Sequence, residues 1–321
     1  MKISIAMTTY NGAAFLREQL DSILAQTRIP DELIVCDDQS SDATSSTLND
    51  YAARSPFPIK VLINDERLGS TKNFEKAIGL CVGDIVALCD QDDIWRPHKL
   101  AAIERRFEEE PDLGLVFTNA DLIDHRGARR AGDLWASFQF DERRQRQLRG
   151  LHPYDLLLSR SFVTGATVAF RSRFKSLCLP IPSGIATFVH DRWIALLIAA
   201  VGQIDFIADK LIEYRLHPQQ QLGVGKLPRP LRYTAPHHAS SDRDGLAAIR
   251  ERLTGSPGWT AKPDFLRALD VRERHVAARA ALPRNVVGRL KRIASEYGSG
   301  RYHRYSRGSL MALKDLLVGT R

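Results

Sequence analysis

The amino-acid sequence predicts an α/β protein with a mostly parallel sheet, helices on both faces of that sheet, and a helical, basic C-terminal extension. Short apolar runs alternate with amphipathic helical segments along residues 1–125, which is typical of parallel sheets. Several of these runs lead directly into polar loops, as strands do at the ligand edge of an open sheet. The composition of the 321 residues, with 44% hydrophobic and 26% charged, allows a substantial core.

The predicted strands and helices alternate regularly. Strands are predicted at residues 3–7, 33–36, 60–63, 85–89 and 113–118, and each is a short apolar run. Helices are predicted at residues 15–26, 41–52 and 70–81. The first helix places Leu16, Leu20 and Ile23 on one face, and the second begins with Ser, Asp and Thr residues suited to helix capping. In the third helix Phe74 and Ile78 are in register.

The second half of the chain shows less regular patterns. Residues 126–150 are rich in Arg, Asp and Gln, which predicts a surface excursion and favours a mobile loop. Glycines and prolines at residues 223–230 predict a linker. We therefore expect one domain at residues 1–225 and a mainly helical extension at residues 226–321.

The charge is divided unevenly between these two parts. Residues 1–225 contain 26 Lys and Arg against 30 Asp and Glu, whereas residues 226–321 contain 20 against 8. A basic extension favours contact with an acidic partner such as nucleic acid or anionic lipid. A solvated, arginine-rich helical face is the alternative interpretation.

The cysteines and the apolar runs indicate a cytoplasmic protein. Cys36, Cys81, Cys89 and Cys178 show no metal-ligand spacing, and most lie in apolar runs, so we expect buried free thiols in a reducing compartment. The first seven residues are too few and too polar for a signal peptide. The apolar run at residues 193–201 is too short to cross a bilayer.

The segment Asp90-Gln91-Asp92-Asp93 carries the strongest chemical signal. Three carboxylates within four residues repel one another, so they indicate a bound cation. Mg²⁺ is usually held by one or two carboxylates together with substrate phosphates, which points to a phosphorylated substrate. An acidic helix N-terminus is the alternative. Two further polar loops, at residues 8–12 and 37–42, follow other predicted strands, and we expect all three loops to line one site.

Four blocks in this order resemble the inverting glycosyltransferases of family 2, which have the Rossmann-like GT-A fold. The blocks are residues 5–12, 33–44, 68–74 and 90–100, and weaker similarity continues to about residue 220. The form Asp90-Gln91-Asp92-Asp93-Ile94-Trp95 resembles the bacterial subgroup that builds surface polysaccharides, including many rhamnosyltransferases. The resemblance implies transfer of a hexosyl or deoxyhexosyl group from a UDP- or dTDP-linked sugar to a glycan or lipid-linked acceptor.

The resemblance also implies a role for individual residues. Donor-binding residues would be Thr8, Tyr10, Asn11, Asp38, Asp90, Gln91 and Asp92. Within this set Thr8 and Tyr10 would frame the base, and Asp38 would accept a hydrogen bond from its ring N–H. Asp92 would bind a divalent cation, Mg²⁺ or Mn²⁺, and Asp90, Asp93 and His217 are further candidate ligands. The cation would neutralise the departing nucleoside diphosphate.

The same resemblance implies an acceptor side of the site. Asp191 would be the general base that removes the proton of the acceptor hydroxyl, although an acidic residue in a first helical turn is also common. Residues facing the acceptor or the donor sugar would be Trp95, Thr164, Gly165, Ala166 and Arg215. Packing is the alternative role for Trp95. Arg192 stands where many relatives have an aromatic residue, which leaves the acceptor contacts open.

Two other classes of protein compete with this interpretation. A sugar-nucleotide nucleotidyltransferase would have a glycine-rich loop with Arg and Lys after the first strand, whereas Tyr10-Asn11-Gly12 stands here. A nucleic-acid-binding protein would suit the basic extension, but that extension has few aromatic residues for base stacking. We therefore expect no nucleic-acid partner and favour peripheral contact with the inner face of the cytoplasmic membrane.

Overall fold

A mixed sheet lies at the centre of the computed structural model, which describes residues 1–150, 153–185, 187–218, 220 and 236–318. The strands of the described residues are β1 (Ile3–Thr9), β2 (Glu32–Asp37), β3 (Ile59–Ile63), β4 (Ile85–Cys89), β5 (Ile94–Trp95), β6 (Leu113–Asp124), β7 (Arg129–Asp133), β8 (Val168–Arg171) and β9 (Gln203–Leu216). All five predicted strands are confirmed.

Helices cover both faces of this sheet. In the N-terminal half they are α1 (Leu16–Leu24), α2 (Thr44–Arg54), α3 (Gly69–Leu80) and α4 (Lys99–Glu109). They continue with α5 (Leu134–Ser137), α6 (Glu142–Leu148), α7 (Pro153–Ser159), α8 (Lys175–Cys178) and α9 (His190–Val201). The C-terminal helices are α10 (Pro236–Gly255), α11 (Pro263–Ala280), α12 (Val286–Gly298), α13 (Arg301–Tyr305) and α14 (Ser309–Val318). The three predicted helices are confirmed within a few residues.

The order of the strands brings several loops to one edge. The sheet runs β3-β2-β1-β4-β8-β6-β9-β5, and β7 pairs with β6. Strands β3, β2, β1 and β4 are parallel, whereas β8 is antiparallel to both β4 and β6. The turn that enters β8 therefore lies at the edge where β1, β2 and β4 end. The sequence patterns did not indicate the antiparallel strand β8, which brings this turn next to the end of β4.

Both faces of the sheet are buried because the parallel strands are apolar at nearly every position. Successive side chains point to opposite faces, so Ile5 and Val35 pack with α1, α2 and α4, whereas Ala6 and Ile34 pack with α3 and α9. Helices α10 and α11 add to the second layer, with Leu246, Ile249, Phe265 and Leu269. The predicted linker at residues 223–230 lies outside the described residues.

Residues 126–150 form structure rather than the predicted mobile loop. They contain β7, α5 and α6, and Trp135 and Phe140 are buried. These two rings pack edge to face at 5.0 Å between centroids, and Phe140 stacks on Phe162 at 4.5 Å. The prediction was wrong because it weighed the many polar residues and not the few large aromatic ones.

Two further predictions concern cysteines and membrane spans. Cys36, Cys81, Cys89 and Cys178 are buried free thiols, as predicted. Burial raises the pKa of the Cys36 thiol to about 11, so it stays protonated at neutral pH. Within the described residues, no helix combines the length and the apolar character that a membrane span requires.

Besides the apolar packing, the carboxylate of Asp242 links helices α10 and α11 to α9. Asp242 of α10 accepts hydrogen bonds from Arg192 of α9 at 3.0 Å and from Arg272 of α11 at 2.6 Å. Both arginines are buried. Burial by itself would raise the pKa of Asp242, but the two guanidinium groups hold it below its usual value. A shared, buried ion-pair network of this kind costs much free energy when one member is removed.

We therefore expect Asp242→Asn to lower the free energy of unfolding by about 3 kcal/mol, because two buried guanidinium groups lose their counter-charge. Urea unfolding followed by circular dichroism measures this change. The matched control is Asp244→Asn, since Asp244 pairs with Arg243 on the surface, where both side chains are more than half exposed. The control should change stability by less than about 0.5 kcal/mol. Equal effects of the two variants would contradict the proposed importance of Asp242.

Candidate functional site

The loops that follow β1 and β2 are bonded to each other. The Asn11 N–H donates to Ser40 Oγ at 2.8 Å, and the Ser41 N–H donates to Asn11 Oδ1 at 2.8 Å. Asn11 has a φ of 46°, a left-handed conformation that Asn tolerates better than most residues. Asp37 accepts hydrogen bonds from Thr9 and Ser40, so it supports the loop. Asn11, a predicted donor-binding residue, therefore has a structural task in the protein alone.

Asp38 lies buried where the loop meets α3. Its Oδ1 accepts from Asn64 Nδ2 at 3.0 Å and from the Leu68 N–H at 2.7 Å, and its Oδ2 accepts from the Gly69 N–H at 2.9 Å. The carboxylate thus caps the start of α3. A carboxylate offers about four acceptor positions, so Asp38 retains acceptor capacity for a ligand N–H.

The predicted base-framing residues lie beside Asp38. Thr8 is at the end of β1 and is almost buried. Tyr10 is partly exposed, and the guanidinium of Arg67 lies 3.8 Å from the centre of its ring. The Tyr10 ring and the Arg67 guanidinium therefore form a flat wall of this part of the site.

Gln91 links the β4 loop to the β1 loop. Its Oε1 accepts from the Tyr10 N–H at 2.8 Å, and its Nε2 donates to the Tyr10 carbonyl at 3.0 Å. Gly12 lies against this amide, because a Cβ at position 12 would come within 2.2 Å of Gln91 Oε1. Gln91 was predicted to bind the donor directly, but its amide is occupied by the backbone of Tyr10.

The three carboxylates at the end of β4 have distinct surroundings. Burial, with the nearby charges of Asp92 and Asp191, raises the pKa of Asp90 to about 7. Asp93 is buried, and burial together with Asp92 raises its pKa. One oxygen of Asp93 accepts from the Arg215 N–H at 3.0 Å. The carboxylates are therefore short of positive charge, and a cation placed among them would be stabilised.

Asp92 is paired with His217, the residue that follows β9. Its Oδ2 lies 2.7 Å from Nε2 of His217, and its side chain is partly exposed. The described residues contain no group of three His, Cys, Asp or Glu side chains placed to hold a metal by themselves. A divalent cation here would need oxygen ligands from a substrate or from water, which is the usual arrangement for Mg²⁺.

Lys99 is a functional candidate that the sequence analysis left without a role. It is buried at the start of α4, its Nζ donates to the Ala166 carbonyl at 2.8 Å, and it lies 3.5 Å from the Trp95 ring centre. Burial lowers the pKa of Lys99 to about 7, although Asp93 and Asp90 oppose that shift. Lys99 therefore joins the acidic loop to the turn before β8. Its place in the block of residues 90–100 was the available signal.

Asp191 approaches the acidic loop from the other half of the chain. It is in the first turn of α9, where its Oδ2 accepts from the Gly165 N–H at 3.1 Å and its Oδ1 from the Arg192 N–H at 2.5 Å. These bonds hold a partly exposed carboxylate in one orientation. Because the turn at Gly165 enters β8 beside the end of β4, Asp191 lies at the same edge of the sheet as Asp90, and its charge contributes to the raised pKa of Asp90.

The glycine at position 165 makes room for His190. A Cβ at this position would lie 2.5 Å from His190 Nε2. The His190 ring stacks on Phe74 at 4.1 Å between centroids, and burial lowers its pKa. Among the described residues, both ring nitrogens of His190 and the hydroxyl of Thr164 have no hydrogen-bond partner. Buried polar atoms of this kind usually have a partner, so these three atoms are available to hydrogen-bond a ligand.

Two residues predicted to contact a sugar, Trp95 and Arg215, are buried in the protein. Trp95 is 2% exposed and belongs to the core beneath the site, so the packing alternative describes it. Arg215 is also 2% exposed. Its guanidinium donates to the Asp92 carbonyl at 2.8 Å and to Glu18 at 2.6 Å, which leaves it directed at the protein. Its role in the structure is to hold the acidic loop against β9 and α1.

Comparison with known sequences gives a family match for the half of the chain that contains the strand-end loops. The model of the family described as Glycosyl transferase family 2 matches residues 4–162. An uncharacterized protein of Mycobacterium bovis is 28% identical over 67% of this chain and 59% of its own length. The Escherichia coli protein WfgD, a UDP-Glc:α-D-GlcNAc-diphosphoundecaprenol β-1,3-glucosyltransferase, is 36% identical over 38% of this chain and 47% of its own length. The chain thus spans less than two thirds of these curated relatives.

Solved structures resemble the chain over most of its length. Staphylococcus aureus TarS 1-349, in complex with UDP-GlcNAc, has a TM-score of 0.59 and 15% identity over 93% of this chain and 81% of that one. The mannosyltransferase PcManGT from Pyrobaculum calidifontis, in complex with GDP-Man and Mn²⁺, has a TM-score of 0.56 and 21% identity over 99% of this chain and 79% of that one. At these identities the likeness concerns the fold, and it confirms the predicted fold class.

The contact between Gly12 and Gln91 leads to a double-mutant test. We expect Gly12→Ala and Gln91→Ala each to lower the free energy of unfolding by about 1–2 kcal/mol, because each breaks the two hydrogen bonds to Tyr10. The double variant should lose no more than either single variant, since both remove the same bonds. Thermal and urea unfolding measure these effects. The control is Gly255→Ala, where an added Cβ meets no atom within 4 Å. Fully additive losses would contradict the shared contact.

Proposed function

Because the chain belongs to glycosyltransferase family 2, we propose that it transfers a sugar from a nucleoside-diphosphate sugar to a hydroxyl group, with inversion at the anomeric carbon. The observation that carries this proposal is the position of Asp191, from the second half of the chain: its Oδ2 accepts from the Gly165 N–H at 3.1 Å in the turn that enters β8 beside the end of β4. The acidic loop can thus bind the diphosphate end of a donor through a cation, while Asp191 accepts the proton of the attacking hydroxyl.

The nucleotide would lie along the ends of β1 and β2. Tyr10 and Thr8 offer a surface for the base, and Asp38 keeps acceptor capacity for its ring N–H. We infer a UDP- or dTDP-linked donor. The complex of TarS, a protein of similar fold, with UDP-GlcNAc supports a nucleotide sugar as the donor.

The diphosphate would lie over the acidic loop together with a divalent cation, Mg²⁺ or Mn²⁺. Asp92 would be its ligand from the chain, with Asp90, Asp93 and His217 nearby, and this donor set of carboxylate oxygens and one imidazole fits such a cation. When bound, the cation supplies charge neutralisation for the leaving nucleoside diphosphate. The Mn²⁺ in the complex of PcManGT with GDP-Man supports this proposal.

Asp191 would act as the general base. The acceptor hydroxyl donates a hydrogen bond to the Asp191 carboxylate, which takes the proton as the hydroxyl oxygen attacks the anomeric carbon on the face opposite the diphosphate. The backbone N–H groups of Gly165 and Arg192 hold the carboxylate in place before the reaction. Hydrogen bonds of this kind reduce the reorganisation that the reaction requires.

The acceptor would be a glycan or a lipid-linked saccharide, bound beside the turn at residues 164–166. The diphosphoundecaprenol-linked acceptor in the description of the relative WfgD supports the lipid-linked choice. A lipid-linked acceptor places the reaction at the inner face of the cytoplasmic membrane. The transferred group is a hexosyl or deoxyhexosyl group in this proposal.

We expect Asp191→Asn to lower the rate of transfer by about 10²–10⁴-fold while donor affinity changes less than about threefold, because the amide keeps the size of the side chain but accepts no proton. Isothermal titration with the nucleoside diphosphate and a radiolabelled transfer assay measure the two quantities. Asp209→Asn, at an exposed position of β9, is the matched control. Transfer at the wild-type rate by the Asp191 variant would refute the assignment of the base.

We also expect chelation of divalent cations to weaken binding of the nucleoside diphosphate by more than about tenfold, since three crowded carboxylates otherwise repel its charge. Asp92→Asn should show the same weak binding with or without added Mn²⁺. Titration calorimetry with and without chelator tests both statements, with the exposed Asp65→Asn as control. If chelation leaves the affinity unchanged, the proposed role of the cation is wrong.

A further inference from the structure

Helices α12 and α14, near the C-terminus, carry apolar side chains that face solvent. We define the C-terminal apolar face as the exposed side chains of α12 and α14, namely Val286, Val287, Leu290, Leu310, Leu313 and Leu317. Each of them is between 51% and 72% exposed. With Tyr297, seven of the eleven exposed large hydrophobic side chains in the described part of the chain lie here. Such clustering, in contrast to scattered single residues, marks an interaction site.

The regular helical spacing of these residues shows that the face is not produced by poor packing. Leu310, Leu313 and Leu317 recur at three and four residues along α14, which places them on one side of the helix. The opposite side of α14 contributes Met311 and Ala312 to a small core with Tyr302 and Ile293. Helix α14 thus has two apolar sides, and among the described residues only one of them is covered.

The surroundings of the face are basic. Residues 281–318 contain eight Lys and Arg against two acidic residues, Glu296 and Asp315. Both acids are engaged inside the helical unit, since Arg301 pairs with Glu296 at 2.6 Å and Arg279 pairs with Asp315 at 2.6 Å. Residues 281–318 therefore keep an excess of positive charge after Arg301 has paired with Glu296.

The basic residues lie next to the apolar ones in the sequence. Lys291 and Arg292 directly follow Leu290 on α12 and are exposed. Lys314 directly follows Leu313 on α14. A helix with exposed apolar side chains bordered by Lys and Arg is typical of a segment that lies in the interface of an anionic membrane.

We propose that the C-terminal apolar face docks on an anionic lipid bilayer, with the Val and Leu side chains in the headgroup boundary and the Lys and Arg side chains on the lipid phosphates. Anionic lipid attracts the basic residues, whereas two copies of the same basic face would repel each other. Helices α12 and α14 have 13 and 10 residues, so they lie on the membrane and do not span it. The inference deepens the proposed function, on which it rests for the location of a lipid-linked acceptor.

Docking would fix the orientation of the reaction centre relative to the membrane. Helix α13, between the two docking helices, is tied to α11 because Arg272 donates to the Tyr305 carbonyl at 3.0 Å. Arg272 also shares Asp242 with Arg192, the residue that follows Asp191. The docking helices and the candidate base therefore belong to one continuous set of buried contacts.

The test is co-sedimentation of the full chain with phosphatidylcholine vesicles, with and without phosphatidylglycerol. We expect binding to the anionic vesicles at low salt. Leu310→Ser combined with Leu313→Ser and Leu317→Ser should weaken it by more than about tenfold through the loss of buried apolar area. Lys291→Ser with Arg292→Ser should weaken it by about tenfold or more and reduce its dependence on salt. Controls are Val82→Ser, at an exposed apolar position, and Arg105→Ser, at an exposed basic position, both in the N-terminal half.

The outcomes separate this inference from the proposed function. Vesicle binding that the two C-terminal variants lose and the two controls retain supports docking on lipid. Wild-type chain that stays in the supernatant with anionic vesicles at low salt refutes docking. Sedimentation velocity that shows a dimer, abolished by the triple Leu variant, would overturn it in favour of a second copy as occupant. Nucleoside-diphosphate binding, measured without vesicles, should be the same in the triple Leu variant as in the wild type. A wild-type chain that binds anionic vesicles but no nucleoside diphosphate would refute the proposed function alone.

Discussion

The crowding of Asp90, Asp92 and Asp93 at the end of β4 is the constraint on which the rest of the site depends. Burial, together with the charges of the neighbouring carboxylates, raises the pKa of Asp90 and of Asp93. The chain compensates for them only in part. Arg215 donates its backbone N–H to Asp93, His217 contacts Asp92, and the buried Lys99 lies within reach of their field. The remaining negative charge would be stabilised by a bound cation, which the proposed donor site uses to bind a diphosphate.

The antiparallel strand β8 explains how a second carboxylate reaches this place. Because β8 runs against β4, the turn at residues 165–167 enters the sheet beside the end of β4. Lys99 binds the carbonyl of Ala166 in this turn, and Asp191 accepts the N–H of Gly165. The turn therefore has two neighbours, the acidic loop and the start of α9. By bonding to Lys99 on one side and to Asp191 on the other, this turn determines how far the acidic loop lies from the proposed base.

The C-terminal helices extend the same network outward. Asp242 joins α10 to both α9 and α11, directly behind the residue that would act as base. Buried ion pairs contribute little net stability compared with apolar packing, but they specify one arrangement, and breaking one is costly. Two kinds of basic residue are found in the described C-terminal helices. Arg272 faces inward and joins α11 to α10 through Asp242, whereas Lys291 and Arg292 are exposed next to the C-terminal apolar face.

The sequence by itself determined the α/β class, strands β1 to β4 and β6, and the positions of the polar loops, because the short apolar runs and the order of motifs are local properties. It did not determine which polar side chains remain available to a ligand. From the sequence, Gln91, Trp95 and Arg215 were predicted to contact a ligand like their neighbours in the motifs. In the structure Gln91 bonds to Tyr10, Trp95 is buried, and Arg215 bonds to Glu18. It also left Lys99 without a role. Burial and hydrogen-bond partners arise from contacts between residues distant in sequence, so only the tertiary structure decided them.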